Sequence, residues 1–169
     1  MKKVTLFLVC AMLMVCVAGM AFAQDLTGKT EVKGNLAWTN DGSGSLFGLG
    51  VELGKFMTPN WEPRIGLDIQ NNATGSQNIT EWGITPSVSY NFTNWKTPGM
   101  LPYAGVGFTY INTSAAGVTG GLGAVLYAGS RFFIGNSTDR AVFAEYRVST
   151  KAGDIPSTNG LQAGFLGLF

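Results

Sequence analysis

The strongest constraint in this chain is an alternation of apolar and polar residues with a period of two, repeated along most of its length. In "TEVKGNLAWT", Val32, Leu36 and Trp38 share one parity, and Glu31, Lys33 and Asn35 take the other. In "WEPRIGLDIQ", Trp61, Pro63, Ile65, Leu67 and Ile69 oppose Glu62, Arg64, Gly66, Asp68 and Gln70. Side chains on a strand point to opposite faces in turn, so this pattern specifies strands with two unlike faces. Eight such segments follow one another: 30–39, 45–55, 61–70, 79–92, 101–111, 121–133, 141–149 and 159–169. Turn chemistry separates them, as in "NDGSGS", "MTPN", "NNATGSQN" and "GNSTD". Helical periodicity is absent after residue 23. An even number of short strands joined by hairpins predicts an all-β fold, an eight-stranded antiparallel up-and-down barrel.

Residues 1–23 stand apart from that pattern. Lys2 and Lys3 precede an apolar run from Val4 to Met20, and Ala21-Phe22-Ala23 supplies a small-x-small cleavage site. This reads as a secretory signal peptide cut after Ala23, with Ala21 and Ala23 as the recognition residues and 24–169 as the barrel domain. A retained membrane anchor is the alternative. Both cysteines, Cys10 and Cys16, lie within this segment. The barrel domain therefore has no thiol for a disulfide, a nucleophile or a metal.

Alternation alone does not say which face meets solvent. A soluble ligand-binding barrel turns its apolar face inward, whereas a membrane barrel turns it outward. The polar face carries Glu31, Lys33, Glu52, Arg64, Asp68, Glu81, Arg131, Glu145 and Arg147, and these are expected to form an interior ion-pair network. The same face is crowded with glycines such as Gly48, Gly50, Gly105 and Gly107, which suits a cramped interior. Aromatic residues fall at the strand ends. Trp38, Phe47, Trp82 and Tyr110 lie beside the odd-numbered loops, and Trp61, Tyr90, Phe92, Phe132 and Phe169 at the opposite ends. Two belts of this kind mark the two membrane–water interfaces. Charged residues make up 12% of the chain, where about 25% is usual for a soluble domain. All of this favours the membrane barrel.

The stretch "NGLQAGFLGLF" places Phe169, Gly167, Phe165, Ala163 and Leu161 on one parity, and "AVFAEYRVS" contains Glu145-Tyr146-Arg147. In these features, and in the eight-strand pattern as a whole, the chain resembles the small outer-membrane β-barrel family of Gram-negative bacteria, the OmpA/OmpX-like barrels. The resemblance implies an outer-membrane location with lipids and lipopolysaccharide as neighbours. It implies that the barrel assembly machinery reads the last strand, with Phe165 and Phe169 as the assembly signal. Gly167 departs from the larger residue usual at that position in the family.

The function classes narrow further. The chain contains no histidine, which excludes a Ser-His-Asp triad, a histidine general base and a histidine metal site. The formal net charge is +1 with no basic cluster, so nothing points to nucleic acid. No catalytic, cofactor-binding or metal-binding residue is expected. The leading expectation is a structural outer-membrane barrel with a filled interior and an interaction role for its outer loops. "STKAGDIPSTN", carrying Lys151 and Asp154, is the first candidate for such contacts. A narrow channel for small or hydrophobic solutes is the alternative.

Overall fold

A computed structural model describes residues 26–40, 45–72, 79–95, 97–135 and 138–169. The proposed signal peptide, with Ala21 and Ala23, lies outside the described residues. The eight expected strands form in order: β1 (Thr30–Asn40), β2 (Ser45–Lys55), β3 (Trp61–Asn72), β4 (Ile79–Asn91), β5 (Met100–Thr113), β6 (Gly121–Phe133), β7 (Arg140–Ser149) and β8 (Thr158–Leu168). Each pairs antiparallel with the next, and β8 returns to β1 to close the barrel. Closure leaves no unpaired edge, which is what lets strands stand in a lipid bilayer without exposing bare backbone donors and acceptors.

Parity decides orientation. The polar parity points inward and the apolar parity outward, as in β1, where burial alternates from Glu31 through Thr39. Leu36, Trp38, Leu49, Leu67, Ile69, Phe108, Leu122, Leu126 and Phe165 are all more than half exposed on the outer wall. Charged residues make the inner wall: Glu31, Glu62 and Arg131 have no accessible surface. This is the inverse of a water-soluble barrel. Among the described residues, no helix is long and apolar enough to cross a membrane.

Two local features shape the wall. Tyr103 lies opposite Gly129 and Tyr127 opposite Gly105, on the inward parity of β5 and β6. A Cβ on Gly105 would overlap the Tyr127 ring, so the glycine makes room for the ring to lie flat across the neighbouring strand. The second feature is at Pro86. The β4–β5 register runs Ile84↔Tyr110 and resumes at Ser87↔Gly107, leaving two rungs unmade. Proline has no N–H to give to β5. A hydrogen bond from Thr85 Oγ1 to Thr109 Oγ1 at 2.9 Å bridges the same place from inside.

The end carrying the short turns is corked. Leu26, from the segment before β1, and Phe56, from the β2–β3 turn, are both fully buried against Leu101, Phe143, Leu166 and Leu168. Backbone bonds fix the cork, with Gly28 N donating to Phe56 O at 2.7 Å and Phe56 N to Lys29 O at 3.0 Å. Short turns face the periplasm in barrels of this type and longer loops face outside. The apolar cork therefore seals the short-turn end.

Candidate functional site

The chemistry-bearing side chains meet in the lumen, in layers above the cork. In the lowest layer Arg131 of β6 spans to β1 and β3. Its Nε is 2.5 Å from Glu31 Oε2, one Nη is 3.0 Å from Glu31 Oε1 and 2.6 Å from Glu62 Oε2, and the other Nη donates to Asn91 Oδ1 at 2.6 Å. Its guanidinium also lies over the Tyr103 ring, 4.3 Å from the centroid. A forked donor set suits this task, because one planar cation satisfies two carboxylates at once.

Lys33 carries the network upward. Its Nζ is 3.3 Å from Glu31, 3.1 Å from Glu52 and 3.9 Å from Glu145. Arg64 pairs with Glu52 and lies 3.7 Å from Glu145. Its other Nη donates to Ser89 at 2.8 Å, and its guanidinium carbon lies 5.2 Å from the Tyr103 ring centroid and 5.0 Å from that of Tyr127. Tyr103 donates to Glu145 at 3.0 Å. Above them Arg147 reaches Glu145 at 3.0 Å, Glu52 at 3.3 Å and Asp68 at 3.5 Å. Neutral pairs complete the stack: Asn35 with Gln162, Thr39 with Gln70, and Ser149 with Thr158.

Eight of the nine charged residues named from the sequence meet in this way: Glu31, Lys33, Glu52, Arg64, Asp68, Arg131, Glu145 and Arg147. Glu81 stands half-buried towards the loop end of β4, in register with Gln70 and Thr113. Glu62 takes a central place in the network beside those eight. Its signal was its inward parity beside Arg64 in β3. Tyr103 and Tyr127 belong to the network too, on the same parity argument.

The outer aromatics occupy both rims. Trp38, Trp61, Trp82, Tyr90, Phe92, Tyr110 and Phe169 are all exposed on the outer wall. Trp82 and Tyr110 touch across β4 and β5 near the loop end, with centroids 6.0 Å apart. Trp61, Tyr90 and Phe92 form a chain at the turn end, with centroids 5.1 and 5.2 Å apart. Phe165 and Phe169 stand outermost on the β8 side, at 71% and 78% exposure. Phe169 pairs with Thr30 in both directions, N to O, at 2.9 Å. A Cβ on Gly167 would come within 3.2 Å of the Phe169 ring, so that ring leans over the glycine.

Among the described residues, no group of three His, Cys, Asp or Glu is set to hold a metal. The outer membrane protein beta-barrel domain family matches over residues 7–169. The chain belongs to that family. No curated protein sequence matches it. Solved barrels share its fold. Neisserial surface protein A superposes with a TM-score of 0.64 at 17% identity, covering 83% of this chain and 96% of that one. The N-terminal barrel of OprF from Pseudomonas aeruginosa gives 0.60 at 17% identity, covering 86% and 100%. Ail, the attachment invasion locus protein of Yersinia pestis, gives 0.56 at 12% identity, covering 85% and 99%. Family and fold together place this outer-membrane barrel in the bacterial outer membrane.

Proposed function

We propose that this barrel is a structural outer-membrane protein with a filled lumen, which neither catalyses a reaction nor conducts, and whose outer loops serve contacts at the cell surface. The observation that carries the reading is the buried Arg131–Glu31–Glu62 triad stretched across the lumen above the apolar cork. An eight-stranded barrel is just wide enough for side chains to fill it, and here ion pairs and tyrosines occupy that width. The narrow-channel alternative requires both the triad and the cork to open together.

The loop between β7 and β8 supports the surface role. Thr119 N donates to Asp154 Oδ2 at 3.0 Å and Asp154 N donates to Thr119 O at 2.9 Å, which clasps this loop to the β5–β6 loop. Ala152 and Ile155 bridge to each other and are buried, while Lys151 is exposed. A pre-ordered loop loses less entropy on meeting a partner. Ail has been crystallised with the heparin analogue sucrose octasulfate. The long loops here carry Asp41, Lys151 and Asp154, too little positive charge to suit such a polyanion. The role in assembly rests on Phe165 and Phe169, exposed on the strand that closes the barrel. An N-terminal signal peptide ending at Ala23 is the export route in this reading.

Conductance tests the filled lumen. The folded protein in planar lipid bilayers gives no steady current on this reading. A reproducible large open state contradicts it.

A further inference from the structure

The outer wall of β3 to β7 is not evenly covered. Strand register puts Trp61, Tyr90, Ala104, Ala128 and Tyr146 in one row across five strands. The two alanines at its centre add no bulk between aromatic neighbours. The row sinks there into an apolar groove of ≈ 490 Å³, flanked on one side by Val106 and Leu126. That size lies in the range of about 300–1,000 Å³ typical of small-molecule sites. At one end of it Trp61 packs edge-on against Tyr90, and Tyr90 against Phe92.

The groove has a direction. Trp61 begins β3 and Tyr90 closes β4, both at the short-turn rim, whereas Tyr146 stands in the upper half of β7. It therefore climbs obliquely from the periplasmic interface into the apolar band. At its foot the Trp61 indole N–H and the Tyr90 hydroxyl are on exposed rings, with no hydrogen-bond acceptor among the described residues. Amphipathic rings at that level meet lipid ester and phosphate oxygens.

We propose that this groove seats one glycerophospholipid of the periplasmic leaflet, its ester and phosphate region at Trp61 and Tyr90 and one acyl chain laid over Ala104 and Ala128 up to Tyr146. Inside a bilayer no hydrophobic force favours one apolar surface over another, so selectivity comes from close packing and hydrogen bonds. A chain in the groove touches both its floor and the flank of Val106 and Leu126, where a chain on a convex wall touches protein on one side only. Each extra contact adds a small dispersion gain, and the gains sum along the chain. The interfacial donors add the hydrogen bonds. The inference rests on the membrane-barrel reading and goes beyond it by naming one lipid position.

Native mass spectrometry of the detergent-folded protein, supplied with palmitoyl-oleoyl-phosphatidylethanolamine, tests it. Wild type is expected to keep one phospholipid under activation that strips the others. Ala104→Phe with Ala128→Phe fills the groove and is expected to lower that occupancy about tenfold, or about 1.4 kcal/mol. Val51→Phe, on the outer wall of β2, leaves it unchanged. Ala128→Leu alone serves as a milder filling variant if the double variant does not fold. A heat-dependent gel shift reports folding in every case, and its absence in wild type would instead sink the membrane-barrel reading. Equal retention across the folded variants, no retained lipid in wild type, preferential retention of added lipopolysaccharide, or a dimer in place of the adduct would each overturn the site.

Discussion

Arg131 and Glu31, one hundred residues apart in sequence, meet by two hydrogen bonds of 2.5 and 3.0 Å in a place without solvent access. The pair ties β6 to β1 through the middle of the barrel. Glu62 completes it from β3 at 2.6 Å. Removing one member of a buried ion cluster leaves the others charged and unpaired, which costs roughly 3–5 kcal/mol. Arg131→Ala is predicted to destabilise the barrel by that amount in urea unfolding from lipid vesicles. Arg131→Met combined with Glu31→Gln and Glu62→Gln is predicted to recover most of the loss. Equal destabilisation by the single and the triple variant would contradict a charge-based role.

Arg147 is predicted to matter less. It touches Glu52, Asp68 and Glu145 at 3.0–3.5 Å, but its side chain keeps 12% of its surface exposed. Water entering from the loop side replaces part of what is lost. Arg147→Ala is expected to cost about 2 kcal/mol, the scale of a hydrogen bond to a charged group. Unchanged urea unfolding would contradict its place in the network.

The short-turn rim carries a pH-dependent contact. Lys29 Nζ lies 2.6 Å from Asp139 Oδ1, between the segment before β1 and the β6–β7 turn. The Lys29 hydrogen bond and charge hold the Asp139 carboxyl below its ordinary value of 3.8. A depressed acid stabilises the fold above its unfolded value and loses that contribution as pH falls through the folded one. The contact is therefore fully present at neutral pH and lost only in strong acid. Carboxyl-resolved NMR titration should find Asp139 below 3.8 in wild type and raised in Lys29→Ala. Matching titrations would refute the contact.

Phe169 is predicted to act in assembly. Its ring leans over Gly167 and its backbone pairs with Thr30, where β8 meets β1. Deleting Phe169 is predicted to lower the yield of heat-modifiable barrel in the outer membrane while export to the periplasm stays intact. Equal barrel yields with and without it would contradict this.

Much of the fold was legible because a membrane barrel writes its two solvents into alternate positions. Ile65, Gly66 and Leu67 already state which side faces lipid, and strands as long as β3 leave little room for another register. The cross-lumen partners were less legible. Glu62 and Glu81 look alike in sequence, each near one end of its strand and each on the inward parity. Antiparallel order puts them at opposite ends, Glu62 beside Trp61 at the short turns and Glu81 beside Trp82 at the loops; the stagger that brings Glu62 level with Arg131 is what a one-dimensional pattern does not encode. Leu26 was missed for a different reason. It lies outside every strand, and its burial depends on the turn at Phe56 folding under the barrel. The outer groove is a product of register as well, since Ala104 and Ala128 are ordinary until β5 and β6 set them side by side.

The central claim is that polar residues line the lumen and apolar ones face lipid. Nitroxide labels placed singly at Ile65, Gly66 and Leu67 in reconstituted protein test it by paramagnetic relaxation. The account predicts high accessibility to oxygen and low accessibility to a water-soluble nickel reagent at Ile65 and Leu67, with oxygen accessibility falling sharply at Gly66. The opposite alternation, or strong nickel accessibility at Ile65 and Leu67, would contradict it.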